Sequence, residues 1–272
     1  MKHFKKLVRP YLIWSFVLVV VPLFLIVLYA FTVDGNAVLT LNFTLDNLKK
    51  VLEPTYANVF VKSLALGAVT TGICLLIGYP LAYMIARFKE STQNLLIMLV
   101  TIPMWINLLL RTYAWMNLLA DNGIINRLLM KLGLSPVTMM YTDFSVVLGL
   151  VCNFLPFMVI PIHTSLSKMD RSLIEAAYDL GANKVQAFRQ ITLKLSMPGV
   201  INGIVMVFLM AISTFVIPKL LGGGQYVLIG NLIESQFISV GDWNFGSAIS
   251  FILAVIILIA MRVMKRFDKG DE

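Results

Sequence analysis

Covalent, acid–base and metal chemistry need side chains that this chain holds sparsely. Among 272 residues it has two histidines, His3 and His163, two cysteines, Cys74 and Cys152, and 14 acids. Both cysteines sit inside apolar runs, a placement that suits neither a disulfide framework nor a thiolate cluster. No Ser-His-Asp or paired-carboxylate arrangement is recognisable, so no catalytic residue, metal ligand or cofactor is assigned. Gly67 and Gly72 have the glycine spacing of a phosphate-binding loop. Ile73 and Cys74 follow where Lys and Ser or Thr would be needed. The reading is therefore of a non-enzyme with no ATPase site of its own.

The most informative segment is Ser167 to Met197. Ser172 and Glu175 fit a capping box, and Leu173, Ala176, Ala177 and Leu180 recur at helical spacing. Gly181 falls where a residue with positive φ would stop the helix. Asn183 is placed to cap a second helix through Val185, Phe188 and Ile191. A helix, a glycine turn and a second helix is also the outline of a DNA reader. Between membrane spans it suits docking into a partner's groove better, with Ala176 and Ala177 keeping the surface flat. A solvated interfacial helix pair is the plainer alternative.

The elements that hold this segment are set by composition. Hydrophobic residues make up 59% of the chain and charged residues 13%, against about 25% charged in soluble domains. A span needs roughly 20 apolar residues. Six segments qualify, near Tyr11–Thr32, Val59–Ala86, Leu95–Leu118, Phe144–Leu166, Pro198–Leu221 and Gly246–Met264, and none contains Asp or Glu. The expected fold class is all-α, a polytopic membrane protein of six transmembrane helices. Residues 1–10 form an N-terminal segment, 11–266 the membrane domain with its 167–197 loop, and 267–272 a tail. Pro80, Pro103, Pro156 and Pro161 are kink positions or packing features. The small residues Gly78, Ala82 and Ala86, and Ala68 with Gly72, share faces that permit close helix approach.

Lys and Arg resist translocation. Fifteen fall in segments that are cytoplasmic if the N-terminus is inside, and four, Lys49, Lys50, Arg127 and Lys131, in the outer loops. Both termini are therefore expected in the cytoplasm. Charges divided among alternate loops do not form the clustered face that nucleic acid requires. Arg111 lies about 10 Å from the outer end of its span. Snorkelling to headgroups, internal pairing and gating are its three readings.

The run Glu175-Ala176-Ala177, then Gly181, then Ile191 is similar to the EAA motif in membrane subunits of binding-protein-dependent ABC importers. The resemblance implies a type I ABC importer permease fold in a bacterial inner membrane. It makes Glu175, Ala176, Ala177 and Gly181 the residues that couple to an ATPase. Lys194 stands where the family pattern has proline. The stretches Ile102–Trp105, Leu110–Trp115, Asn122–Asn126, Phe215–Pro218 and Asp242–Ser247 further resemble spermidine/putrescine permeases of the PotB type. The implied partners are two ATP-binding subunits, a second homologous permease, an extracytoplasmic solute-binding protein, a polyamine substrate and membrane lipid. A polyamine needs anionic or aromatic company. With no acid in a span, the candidates are Trp105, Tyr113 and Trp115, the amides of Asn107 and Asn117, and the outer acids Glu234 and Asp242. Another small cation, sulfate or chelated iron are alternative cargoes, and an ion-coupled secondary transporter is the alternative class.

Overall fold

The computed structural model describes residues 2–33, 42–170, 172–224 and 226–268. Thirteen α-helices follow one another among them. They are α1 (Lys2–Ala30), α2 (Asp46–Val51), α3 (Pro54–Ala86), α4 (Glu90–Trp105), α5 (Leu108–Leu119), α6 (Ile124–Lys131) and α7 (Asp143–Ser167). The remainder are α8 (Ser172–Asp179), α9 (Lys184–Ala187), α10 (Leu193–Ser213), α11 (Val216–Leu221), α12 (Ile229–Glu234) and α13 (Trp243–Asp268). The sole extended pairing among the described residues is the bridge between Thr32 and Phe43.

Among the described residues four helical stretches, Pro54–Ala86, Asp143–Ser167, Lys184–Ser213 and Trp243–Arg262, are long and apolar enough to cross a membrane. Trp14–Ala30 within α1 is a shorter apolar helix. The expected third span, Leu95–Leu118, is not one straight helix. It breaks into α4 and the stretch from Leu108 to Lys131, bent by 90°. Ile106 turns extended there, and the Asn107 side chain starts α5 by accepting from Leu109 N. Pro103, with no N–H to give, lies three residues before the break. Pro80, Pro156 and Pro161 lie inside unbroken helices.

The expected fifth span also shifts. Its helix starts before Pro198, ends at Ser213, and resumes as α11 after an extended Thr214. Pro218 is tolerated because it falls in the first turn of α11, where an N–H has no intrahelical acceptor.

The chain divides into two compact units, residues 1–61 with 229–258, and residues 62–228 with 259–272. In the first, two asparagines satisfy the carbonyls left free at the end of α1. Asn244 Nδ2 donates to Tyr29 O at 3.1 Å and Thr32 O at 2.9 Å, and Asn47 Nδ2 donates to Thr32 O at 2.9 Å. The second unit is built on α7, whose residues Val146, Leu150, Met158 and Ile162 are fully buried. Lipid tails are as apolar as these side chains, so helix association rests on close packing. α10 meets α7 through Gly199 and Gly203, where an added Cβ would stand 2.5 Å from Pro161 O and 2.7 Å from Met158 Sδ respectively. Gly78 likewise meets Met158, whereas Gly72 faces open space. The close-approach role holds for Gly78 and not for Gly72.

Candidate functional site

The loop after α7 is a chain of helix-end devices. Asp170 Oδ1 accepts from Ser172 N at 2.9 Å, so α8 is capped by Asp170, and Ser172 is its first residue rather than its cap. The expected Ser172–Glu175 box is therefore replaced by an acid two residues before the helix. Hydrogen bonds from the Ser172 backbone and hydroxyl hold the Asp170 carboxyl below the usual carboxylate range. A lowered pKa means the cap is intact above the ordinary carboxylate range and lost only as pH falls through the lowered value.

α8 ends in a Schellman turn. Ala182 N donates to Ala177 O at 2.9 Å and Gly181 N to Tyr178 O at 2.9 Å. Gly181 has φ +83°, the left-handed conformation the turn requires. Asn183 then caps α9, accepting from Val185 N at 3.1 Å and Gln186 N at 2.9 Å, while Gln186 Oε1 accepts from Asn183 N at 2.8 Å. Asn183→Ala is expected to cost about 1 kcal/mol of local stability and to lower transport several-fold, with Asn183→Asp keeping most activity. Cellular uptake of the transported solute, with membrane levels as control, measures this.

The expected second short helix is not free-standing. α9 runs through a π-helical turn, Phe188–Thr192, straight into α10. With Lys194 in place of proline no donor is missing there, and the wide turn absorbs one extra residue without breaking the rod.

The four predicted coupling residues separate onto two surfaces. Ala176, Ala177 and Gly181 line a shallow groove of about 480 Å³ with Leu173, Leu180 and Ile191. Leu180 is 89% and Val185 72% exposed. These apolar side chains are thus held out to solvent on a capped, ordered turn. Glu175 instead lines a second cleft of about 400 Å³ with Tyr83, Arg87, Gln93 and Tyr178. The Arg87 guanidinium lies 4.3 Å over the Tyr83 ring and donates to its hydroxyl.

Sequence reading missed what lies behind this surface. Phe188 packs edge-on against Tyr79 at 6.1 Å and Tyr83 at 5.3 Å, and Tyr79 Oη and Ser196 Oγ hydrogen-bond at 3.0 Å. The turn is thus fastened to α3 as well as to α10. Tyr79 and Tyr83, four apart, were the available signal. Gln93 ties the α3–α4 turn to α7. Its Nε2 donates to Ala86 O and Phe88 O, which leaves Oε1 to accept from His163 Nε2 at 3.1 Å.

The predicted pathway residues also separate. Trp105 and Asn107 flank the α4–α5 bend, whereas Tyr113 and Asn117 lie further along α5, with Trp105 85% and Tyr113 49% exposed. The amides are engaged, Asn107 as a cap and Asn117 donating to Tyr113 O at 3.1 Å. Glu234 and Asp242 belong to the other unit. Asp242 Oδ1 accepts from Phe245 N at 2.8 Å, and Oδ2 lies 3.5 Å from Lys50 Nζ, which sits 4.2 Å from the Phe245 ring centroid.

Residues 75–270 match the family of binding-protein-dependent transport system inner membrane components. The spermidine/putrescine transport system permease protein PotB of Haemophilus influenzae is 38% identical over 259 residues, 94% of this chain and 91% of that protein. PotB of Escherichia coli K12 is 38% identical over 266 residues, 95% and 97% of the two chains. A bacterial ABC transporter that imports the acidic polysaccharide alginate superposes with TM-score 0.75 at 18% identity, covering 98% of this chain and 96% of its own. The same kind of transporter in complex with an alginate-bound periplasmic protein gives 0.78 at 17% identity, covering 98% and 93%. With this match over most of its length, the chain belongs to the family of inner membrane components of binding-protein-dependent transport systems.

Proposed function

We propose that this chain is the permease subunit of an ATP-driven importer of spermidine and putrescine. The observation that carries the cargo assignment is the 38% identity, over nearly the whole of both chains, to two spermidine/putrescine permeases. The subunit works with two ATP-binding subunits, a second homologous permease and an extracytoplasmic solute-binding protein. Both its termini lie in the cytoplasm, as the Lys and Arg distribution requires. It hydrolyses no ATP, because Ile73 and Cys74 follow Gly72 where a phosphate-binding loop needs Lys and a hydroxyl.

The ATPase pair grips the groove at Ala176, Ala177 and Gly181. When that pair closes, the capped turn moves as one piece. Phe188 passes the motion to Tyr79 and Tyr83 on α3 while the π-helical turn passes it along α10. Glu175, on the cleft behind the docking face, keeps α8 oriented over the ends of the spans. Trp105 and Tyr113 offer exposed rings to an ammonium group of the cargo.

Deletion of the chain in its host is expected to abolish uptake of labelled spermidine or putrescine. Unchanged uptake of both would end the assignment of cargo. Tagging a cysteine at Asn183 with a membrane-impermeant reagent tests the orientation, since reaction in intact cells would place the docking surface outside. A cation–π contact with an ammonium contributes about 0.5–2 kcal/mol. Trp105→Ala is therefore expected to raise KM for spermidine between about twofold and thirtyfold, with Trp105→Phe closer to wild type, in uptake assays across solute concentration.

A further inference from the structure

Three cations lie within or beside the apolar segments. Lys62 Nζ rests 3.9 Å from the Tyr226 ring centroid, and Lys219 has a partner. Arg111 differs. Its Nε and Nη1 are buried and have no acceptor among the described residues. The residue lies in the first turn of α5, just past the 90° bend. Leu108, three residues before it, and Trp115, four after, both pack against the hydrophobic core, and residues at these spacings share a helix face. Leu110 and Tyr113 occupy the exposed side. The guanidinium therefore leans inward and does not snorkel. Asn107 Oδ1, close in sequence, is already taken by Leu109 N.

A guanidinium stays charged at any physiological pH, and a buried charge without a counterion is costly. We propose that Arg111 is completed, in the assembled importer, by a carboxylate of the second permease, forming an ion pair between subunits beside the bend. This rests on the permease-pair reading above. None of the six apolar segments of this chain contains an acid, and no described residue offers Arg111 Nε or Nη1 an acceptor, which points to a counterion supplied by another subunit. A carboxylate on the solute-binding protein is present only while that protein is docked and leaves the charge bare for the rest of the cycle. A lipid phosphate lies on the side from which the guanidinium turns away. Arg111 is half-buried rather than sealed, which leaves an edge open to an incoming oxygen. The two forks of a guanidinium share Nη2, so one carboxylate arriving there also engages Nε or Nη1. Neutralisation also removes a charge that repels a cationic cargo.

The test uses the whole importer, purified from host membranes through a tag on this chain, together with uptake assays. Arg111→Met is expected to lower spermidine uptake at least tenfold and to reduce recovery of the second permease, with Arg111→Lys keeping part of both. Each membrane-depth acid of the second permease is then neutralised in turn. One such change, harmful alone, is expected to restore uptake at least fivefold in the Arg111→Met background. If Arg111→Met does not accumulate, the same rescue is read as its return to the membrane. Wild-type uptake and recovery in Arg111→Met would overturn the proposal, as would the absence of any rescuing acid. Loss of bound phospholipid with undiminished second permease would overturn it in favour of a lipid phosphate. Failure of the wild-type chain to bring down any second permease would refute the permease pair itself, and the ion pair with it.

Discussion

Gly181→Val is expected to leave a protein that inserts normally and transports at a tenth of the wild-type rate or less. Gly181 has φ +83°, and a Cβ added there meets nothing within 4 Å. The penalty is therefore purely in the backbone. A left-handed residue other than glycine costs roughly 1–2 kcal/mol, and a β-branched one is worse because its side chain crowds its own carbonyl. A penalty of 1.4 kcal/mol is tenfold in population. The strain is relieved by opening the Schellman turn, which frees the carbonyls of Ala177 and Tyr178 and misaligns α8 with α9. Nothing in the membrane is disturbed, so insertion and abundance are unaffected. Gly181→Asn, which tolerates this conformation best among other residues, is expected to recover several-fold. Labelled spermidine uptake, normalised to membrane protein, reads all three. Wild-type transport in the valine variant would show that the turn does not carry the drive.

The loop between α7 and α10 was legible because its signals are local. A glycine after a helical run and an Asn ahead of the next one each specify a backbone conformation without reference to the rest of the fold, and the structure has both at those positions. The Ser172–Glu175 pair carries the same kind of signal but is not the cap, because Asp170 offers a stronger, ionised acceptor two residues earlier. Hydropathy located the apolar segments but not the bend at Ile106 and Asn107. A run such as Leu95–Leu118 is equally apolar whether straight or folded back, and only packing decides between them. The division of Glu175 from Ala176, Ala177 and Gly181 was hidden for a related reason. The motif gives their order along one helix, while the cleft that Glu175 faces is set by α3 and α7, which pack from elsewhere in the chain, and the groove of the other three is built within residues 173–191. The Phe188 contact with Tyr79 and Tyr83 spans more than a hundred residues and had no local trace beyond the spacing of the tyrosines.

Gly199→Val is expected to fail in the opposite way, by loss of folded protein. A Cβ at this position would stand 2.5 Å from Pro161 O, 2.5 Å from Ser165 Oγ and 2.9 Å from Ser165 Cβ. The serine oxygen can rotate away, but the carbonyl belongs to the backbone of α7 and cannot. α10 must then withdraw, taking with it the contact that buries Met158 and Ile162 completely. In water a displaced apolar pair still gains from burial elsewhere. In a bilayer the surrounding tails offer the same apolarity, so lost packing is not replaced. Overpacking costs about 1–3 kcal/mol where a neighbour can yield, and the rigid carbonyl puts this site at the upper end. Gly199→Ala already meets the clash and is expected to lower Tm by several degrees, at roughly 2–4 °C per kcal/mol for a chain of this size. Gly199→Val should accumulate at a small fraction of wild type. Gly72→Val supplies the control, because a side chain there meets nothing within 4 Å, and it is expected to accumulate normally. Membrane abundance and thermal unfolding of the detergent-purified variants are the measurements. Equal abundance of Gly199→Val and wild type would mean that α10 does not need its close seat on α7.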